Sequence, residues 1–477
     1  MIHRSCLVIA AALVVACSGS DGPAGDPGAA GNPSTAGTTP ASLNQIAPRV
    51  GLIGRKVTVR LTFDGAPSSA PKVTFGKLTV SKTTVDGSSV LVDLDIKDTD
   101  ALGPQDVTVD GQTSKSAFVV AAPLDVKVAA GKAEQGGLVQ LDVANEDPRA
   151  FFDTQNFTLI PNTASASDGT LVQLTSTGLT ATDGSIILVG DPLAKTGALG
   201  FLGVNNPQDA MSTTFLSAPD AVAVGARDPE ALTAGTPSQK TLANPLETAF
   251  YTITATPSAG EGLLVDAHAI APAGSQIQSL VLGYGPGGTI ADLLDQKKDD
   301  PGFPGFIPPT EARIAYPVVG AASKAFFVVL DSSLKNSSQT KLTFDYETYR
   351  ATLVAEVGTA HPDATPQDLG TLPALSATPP ALVVQGELKT ASEIDTYSFA
   401  GLSAGSAVDI QVSIAPANPS IGVLVDTVNT YDSMDVVQIQ AGGKVGSATT
   451  VNMTGASRFI QVSGAAGKYS LGIRRAN

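Results

Sequence analysis

The sequence predicts an all-β protein, a tandem of β-sandwich domains behind a disordered N-terminal tether. Three observations carry this expectation. The runs KVTVRLTF, KVTFGKLTV, SVLVDLDI and DVTVDG alternate apolar and polar residues, as strands with one buried face must. Clusters of Gly, Pro and Asp punctuate these runs at short, regular intervals. Related segments also recur along the chain, so that one architecture serves more than once.

The elements follow in order. Residues 1–16 have the parts of an export signal: Arg4 near the start, an apolar run from Cys6 to Val15, and the small Ala16. The run is too short for a permanent membrane span, which needs about 20 apolar residues. Val14-Val15-Ala16-Cys17 resembles the bacterial lipoprotein signal, the lipobox. That resemblance implies cleavage before Cys17 and lipidation of Cys17. Ser18 in place of an aspartate implies release to the outer membrane or cell surface, so the expected membrane contact is through the lipid anchor. Once Cys6 is removed, Cys17 stands alone, which excludes an internal disulfide and a Cys-based zinc site.

Residues 17–43 contain almost no large apolar side chain and read as a flexible tether. Glycine recurs at every third position from Gly19 to Gly31. Collagen needs three chains and many more triplets, so a leash is the better reading. The formal charge of −15 and the lack of a basic patch exclude nucleic acid as a partner. With no Trp and eight Tyr, aromatic platforms for sugars are scarce.

Residues 44–122 begin with Ile46-Ala47-Pro48, place Gly54 before the first long run, and lead through Ala101-Leu102-Gly103-Pro104 into Asp106-Val107-Thr108-Val109. These features resemble the TIG/IPT immunoglobulin-like family, which implies a sandwich and no particular activity. Residues 123–229 read as a second immunoglobulin-like copy. Asp86-Gly87-Ser88 and VLVDLDIKDTDALG recur as Asp183-Gly184-Ser185 and IILVGDPLAKTGALG, while Gly54 and KVTVRLTF recur as Gly137 and LVQLDVAN. An insertion near FFDTQNFTLIPNTAS accounts for the changed spacing.

Residues 365–477 carry Glu393, Asp395, Tyr397, Phe399, Gly405, Gly467 and Tyr469 in an arrangement that resembles the bacterial pre-peptidase C-terminal domain. Residues 230–352 read as a diverged copy, with Glu247, Tyr251 and Ile253 at the places of Glu393, Tyr397 and Phe399, but Ala249 where Asp395 stands. The Pro- and Thr-rich stretch 353–380 reads as the joint between them.

No catalytic constellation emerges, and the chain is expected not to be an enzyme. HExxH is absent. His268 lies in the strand-like VDAHAIA, where a structural role is expected, and His361 precedes Pro362 in the joint. Gly401-Leu402-Ser403-Ala404-Gly405 fits a nucleophile elbow by letter. It falls between two strand-like runs, which makes it turn chemistry. Gly283-Tyr284-Gly285-Pro286-Gly287-Gly288 fits a dinucleotide loop, and TIADLLDQ after it suits a short helix. The loop chemistry that follows does not continue a βαβ unit. Asp93, Asp95, Asp98 and Asp100 lack calcium-loop spacing and read as a strand face and turn. Asp395 and Asp432 are the metal candidates, for calcium, because calcium occurs in some relatives of the C-terminal module; Asp395 could equally fix a turn. No other cofactor is expected.

The expected function is therefore non-catalytic: display, adhesion or ligand binding at the cell surface, with an extracellular protein or polysaccharide as partner. The alternatives are an accessory or scaffolding partner of a secreted peptidase, and a carbohydrate-binding surface protein.

Overall fold

The computed structural model describes residues 43–476, apart from 68, 164–167, 271–278, 287–292, 299–310, 332–333, 335–339, 358–365, 403–406, 415–420, 427–435, 439–448, 453–457 and 465. The chain is all-β, with no α-helix among the described residues. No helix among them is long and apolar enough to cross a membrane. Cys17, the tether up to residue 42, His361, Ser403, Gly405 and Asp432 lie outside the described residues, while Leu43, the expected last residue of the tether, begins the first strand.

The first module holds β1 (Leu43–Ala47), β2 (Val50–Leu52), β3 (Lys56–Phe63), β4 (Val73–Phe75), β5 (Thr79–Asp86), β6 (Ser89–Asp95), β7 (Gly103–Val109) and the first half of β8 (Gln112–Gly131). One sheet runs β1-β3-β6-β5, and β2, β4 and β7 build on β8 opposite it. KVTVRLTF spans β3, and its alternation puts Val59, Leu61 and Phe63 into the core with Val90, Val92 and Leu94 of β6. Phe75 and Phe118 meet edge to face, with centroids 5.3 Å apart, and close the centre.

The second module takes the rest of β8, then β9 (Leu138–Asn145), β10 (Thr158–Pro161), β11 (Leu171–Thr177), β12 (Asp183–Gly190), β13 (Gly197–Leu199), β14 (Phe201–Val204), β15 (Thr214–Ser217) and β16 (Val222–Val224). Its order β9-β12-β11 repeats β3-β6-β5 of the first module. Phe152, Phe157 and Phe215 cluster in its core, drawn in part from the inserted segment. β8 belongs to both modules: Gln112–Val120 pairs with β7, and Leu124–Gly131 pairs with β9.

The third module runs β17 (Glu230–Ala231), β18 (Ser238–Leu242), β19 (Ala249–Ala255), β20 (Glu261–Ile270), β21 (Ser279–Tyr284), β22 (Leu293–Lys298), β23 (Glu311–Val319), β24 (Ser323–Asp331) and β25 (Thr340–Ala355). The fourth runs β26 (Gln367–Thr371), β27 (Ala381–Leu388), β28 (Ile394–Ala400), β29 (Ala407–Ile414), β30 (Ile421–Asp426), β31 (Val436–Gln438), β32 (Thr449–Asn452), β33 (Arg458–Gly464) and β34 (Gly467–Arg475). The two match strand for strand. One sheet is β17-β19-β24-β21-β22 in the third and β26-β28-β33-β30-β31 in the fourth. The other is β18-β25-β20-β23 in the third and β27-β34-β29-β32 in the fourth.

Two sequence expectations are corrected here. Residues 353–380 are not a plain joint. β25 continues through Ala355 and pairs in parallel with β27, which fuses the second sheets of the two modules. β26 then pairs in parallel with β28. β26 is largely exposed, so it needs no apolar alternation and its composition hid it. The helix-like TIADLLDQ also fails: β22 takes its last residues into an antiparallel pair with β21, because ladder pairing outweighs local preference.

The second and third modules meet face to face. Leu138, Ile187 and Val189 pack on Phe250, Leu282, Phe326 and Val328. Gly136 has φ +64°, and its bare Cα lets the Phe250 ring lie against it, where a Cβ would come within 2.6 Å. Arg227 clamps the same seam, donating to Gly136 O at 3.2 Å, Thr248 Oγ1 at 2.6 Å and Thr248 O at 2.8 Å.

Candidate functional site

Glu393 and Asp395 flank Ile394, the first residue of β28. Glu393 holds the turn between β27 and β28: its Oε2 accepts the backbone N–H groups of Lys389 and of Thr390, the latter at 3.3 Å. Glu247 does the same in the third module, accepting Ala243 N–H at 2.7 Å. The shared glutamate is thus a turn cap, and Glu393 rather than Asp395 plays that part.

Asp395 points inwards and is fully buried. Its Oδ2 accepts the Tyr469 hydroxyl at 2.6 Å, and the Tyr397 and Tyr469 hydroxyls lie 2.6 Å apart. Because Tyr469 gives its proton to Asp395, Tyr397 donates to Tyr469. Burial pushes both phenols above the ordinary tyrosine range, so they remain donors.

Glu356 completes the cluster from the other module. It follows the end of β25, and its Oε2 accepts Glu387 N–H of β27 at 2.7 Å. One carboxylate oxygen from each of Glu356, Glu393 and Asp395 lies within 4.8 Å of the others. Oε1 of Glu356 and Oε1 of Glu393 are buried and have no hydrogen-bond partner among the described residues. Glu393 is 8% exposed. Together the three residues turn carboxylate oxygens towards one small space. Hard oxygen donors of this kind suit calcium, which takes six to eight of them.

The structure therefore brings Asp395 together with Glu356 and Glu393, two residues not singled out as ligands in the sequence. The signal for Glu356 was weak, because it falls in the Pro- and Thr-rich stretch. The other candidates stand apart. His268 Nε2 lies 3.1 Å from Asp266 Oδ1 within a buried ion-pair group. Asp93 accepts Thr58 Oγ1 at 2.6 Å, and Asp100 accepts Lys97 N–H at 2.8 Å, which is strand-face and turn work. Gly283 ends in a packed strand, where a Cβ would meet Ile314 at 2.9 Å.

No protein-family model matches this chain, and no curated protein matches it in sequence. Solved structures resemble it only distantly. One is tripeptidyl peptidase 2, at 10% identity and a TM-score of 0.18 over 74% of this chain. The chain corresponds to 33% of that protein's length. The Escherichia coli adhesin FdeC has 13% identity and a TM-score of 0.16, covering 60% of this chain and 87% of its own. SGBP-B from a xyloglucan utilization locus in Bacteroides uniformis has 10% identity and a TM-score of 0.15, covering 62% and 98%. Overlap this slight says nothing about activity.

Proposed function

We propose that this chain is a non-catalytic surface protein, anchored by lipid on Cys17, whose β-rich body presents a binding surface to an extracellular protein or polysaccharide. The observation that supports it is how the modules are joined. β8 and β25 each run through two modules, and Arg227 with Gly136 closes the seam between the second and third. Modules joined through shared strands and a clamped seam suit presentation at a distance from a membrane. The resemblance to TIG/IPT domains fits the same reading, since it implies a sandwich and no particular activity. The resemblance to pre-peptidase C-terminal domains implies a compact sandwich appended to secreted proteins, often peptidases, and suits the accessory role equally. Metabolic labelling with palmitate in the native bacterium should mark the wild type and not Cys17→Ser. Cross-linking of the intact protein on cells should then recover a surface protein or glycan. An unlabelled wild type would remove the anchor. Recovery of a secreted peptidase would favour the accessory role instead.

A second reading is favoured by the orphaned oxygens of Glu356 and Glu393: with Asp395 they would hold a calcium ion, with Asp432 a further candidate ligand. Ligand binding to the folded state raises stability in proportion to RT ln(1 + [L]/Kd). Millimolar calcium should raise the melting temperature of the full chain over an EDTA control, and Glu356→Gln with Asp395→Asn should abolish the rise. An equal melting temperature with and without calcium would dispose of this reading.

A further inference from the structure

The two C-terminal modules also touch through faces that neither core uses. β20 lies over β27, and β23 over β29 and β34. Leu264, Ala351, Ala381 and Val383 form the apolar part of this contact. Glycines make it close: a Cβ on Gly262 would lie 3.0 Å from Val383, and one on Gly472 would run into Leu264.

Beside the apolar part lies a group of buried charges. In the ladders, Asp266 pairs with Glu347 and Asp409 with Arg474, which are equivalent places in the two repeats. Each module thus contributes the same carboxylate, and each is 2% exposed. Arg313 of β23 sits between them. Its Nε and Nη2 donate to the two oxygens of Asp266 at 2.6 Å each, and its Nη1 and Nη2 to those of Asp409 at 3.2 and 3.1 Å. Arg474 of β34 donates to Asp409 at 2.6 Å, lies 3.6 Å from Asp266, and stacks 3.8 Å over the Tyr349 ring of the third module. Each module therefore gives an arginine to the other's aspartate. Burial opposes ionisation of Asp266, but the His268 and Arg313 bonds outweigh it and hold the carboxyl below the usual range. A planar fork that serves two carboxylates is a task for arginine and not for lysine.

We propose that the outer face of the fourth module is a binding surface for the third, so that the two are one obligate pair locked by Arg313. The partner it fits is the preceding repeat of the same chain. This also means that residues 230–352 and 365–477 do not fold as independent units.

The test uses the full chain in detergent with a specific protease site placed between residues 360 and 361. After cleavage, the C-terminal piece should co-elute with the remainder at micromolar concentration. Arg313→Gln should weaken that association at least 100-fold, and Arg313→Lys should restore only part of it. Arg350→Gln, which removes an exposed pair with Glu261, serves as the control and should behave as wild type. Separation of the wild-type pieces, or unchanged association in Arg313→Gln, would overturn the proposal. Hydrogen exchange on the uncleaved wild type covers the case in which Arg313→Gln fails to fold. Amides of β20 and β34 should exchange at rates within a few-fold of one another. A tenfold or greater gap would count against a single unit.

Discussion

The third and fourth modules share nine strands and one pairing scheme, yet they fill one position in opposite ways. In the third module the place is lined by Ala249 and Leu342, with Lys240 on the neighbouring strand. In the fourth, the same places hold Asp395, Tyr469 and Gly386. The changes fit each other. Tyr469 is larger than Leu342, and Gly386 leaves the room, since a Cβ there would collide with the tyrosine ring. Asp395 then accepts the hydroxyl that the larger ring brings. The repeat keeps its frame, its turn-capping glutamate and its core tyrosine at 251 and 397. It places a buried acidic variation, Asp395, where the preceding module's Glu356 can reach it.

The largest effect is expected at the seam. Asp409→Ala leaves the buried Arg474 and the half-buried Arg313 short of their shared carboxylate and should cost about 3–5 kcal/mol in urea unfolding of the full chain. The corresponding loss at Lys115–Asp106, an exposed pair, should be far smaller. Next comes the swap between copies. Gly386→Lys places a side chain against Tyr469 and should destabilise by about 1–3 kcal/mol. Adding Tyr469→Leu, which recreates the third module's combination, should recover part of that loss. If the double variant is no better than the single, the two positions are not coupled as the comparison implies.

Tyr469→Phe tests the polar half alone. It removes the donor to Asp395 and the acceptor for Tyr397, and should cost about 1–3 kcal/mol by thermal unfolding. A smaller effect is expected from acid. The Asp266 carboxyl is held below its ordinary range, so its contribution is complete above about pH 4, the unfolded value. As pH falls from there towards the lowered folded value, that contribution fades. Stability of the full chain should therefore decline below about pH 4, and Asp266→Asn should flatten that decline. The smallest change is expected at Arg60–Asp86, where both side chains are about half exposed and Arg60→Gln should alter stability by about 0–1 kcal/mol.

Much of the frame could be read directly. KVTVRLTF became β3 without a residue's change, and the pairing of Glu247 with Glu393 and of Tyr251 with Tyr397 located the repeat. Alternation reports one buried face, and there it served well. It failed where both faces are buried. In VDAHAIA the polar residues Asp266 and His268 look solvent-facing, but a second module covers them, and nothing local announces that cover. Glu356 escaped for a related reason: its meaning comes from Glu393 and Asp395, which reach it only after β25 has paired with β27. The extent of β25 was equally hidden, because its last residues satisfy a neighbour's ladder and not their own module's.

That last point bears on how such a chain can change over time. Leu342, Phe344 and Tyr346 of β25 fill the third core, while Val354 on the same strand packs against the fourth. A one-residue deletion between Tyr346 and Val354 would turn one of these sets to the wrong face. Recombination within that strand would leave both neighbours with ragged edges. In the present chain the segment that can be exchanged or lost as a whole is therefore the pair, with its upstream border before β17.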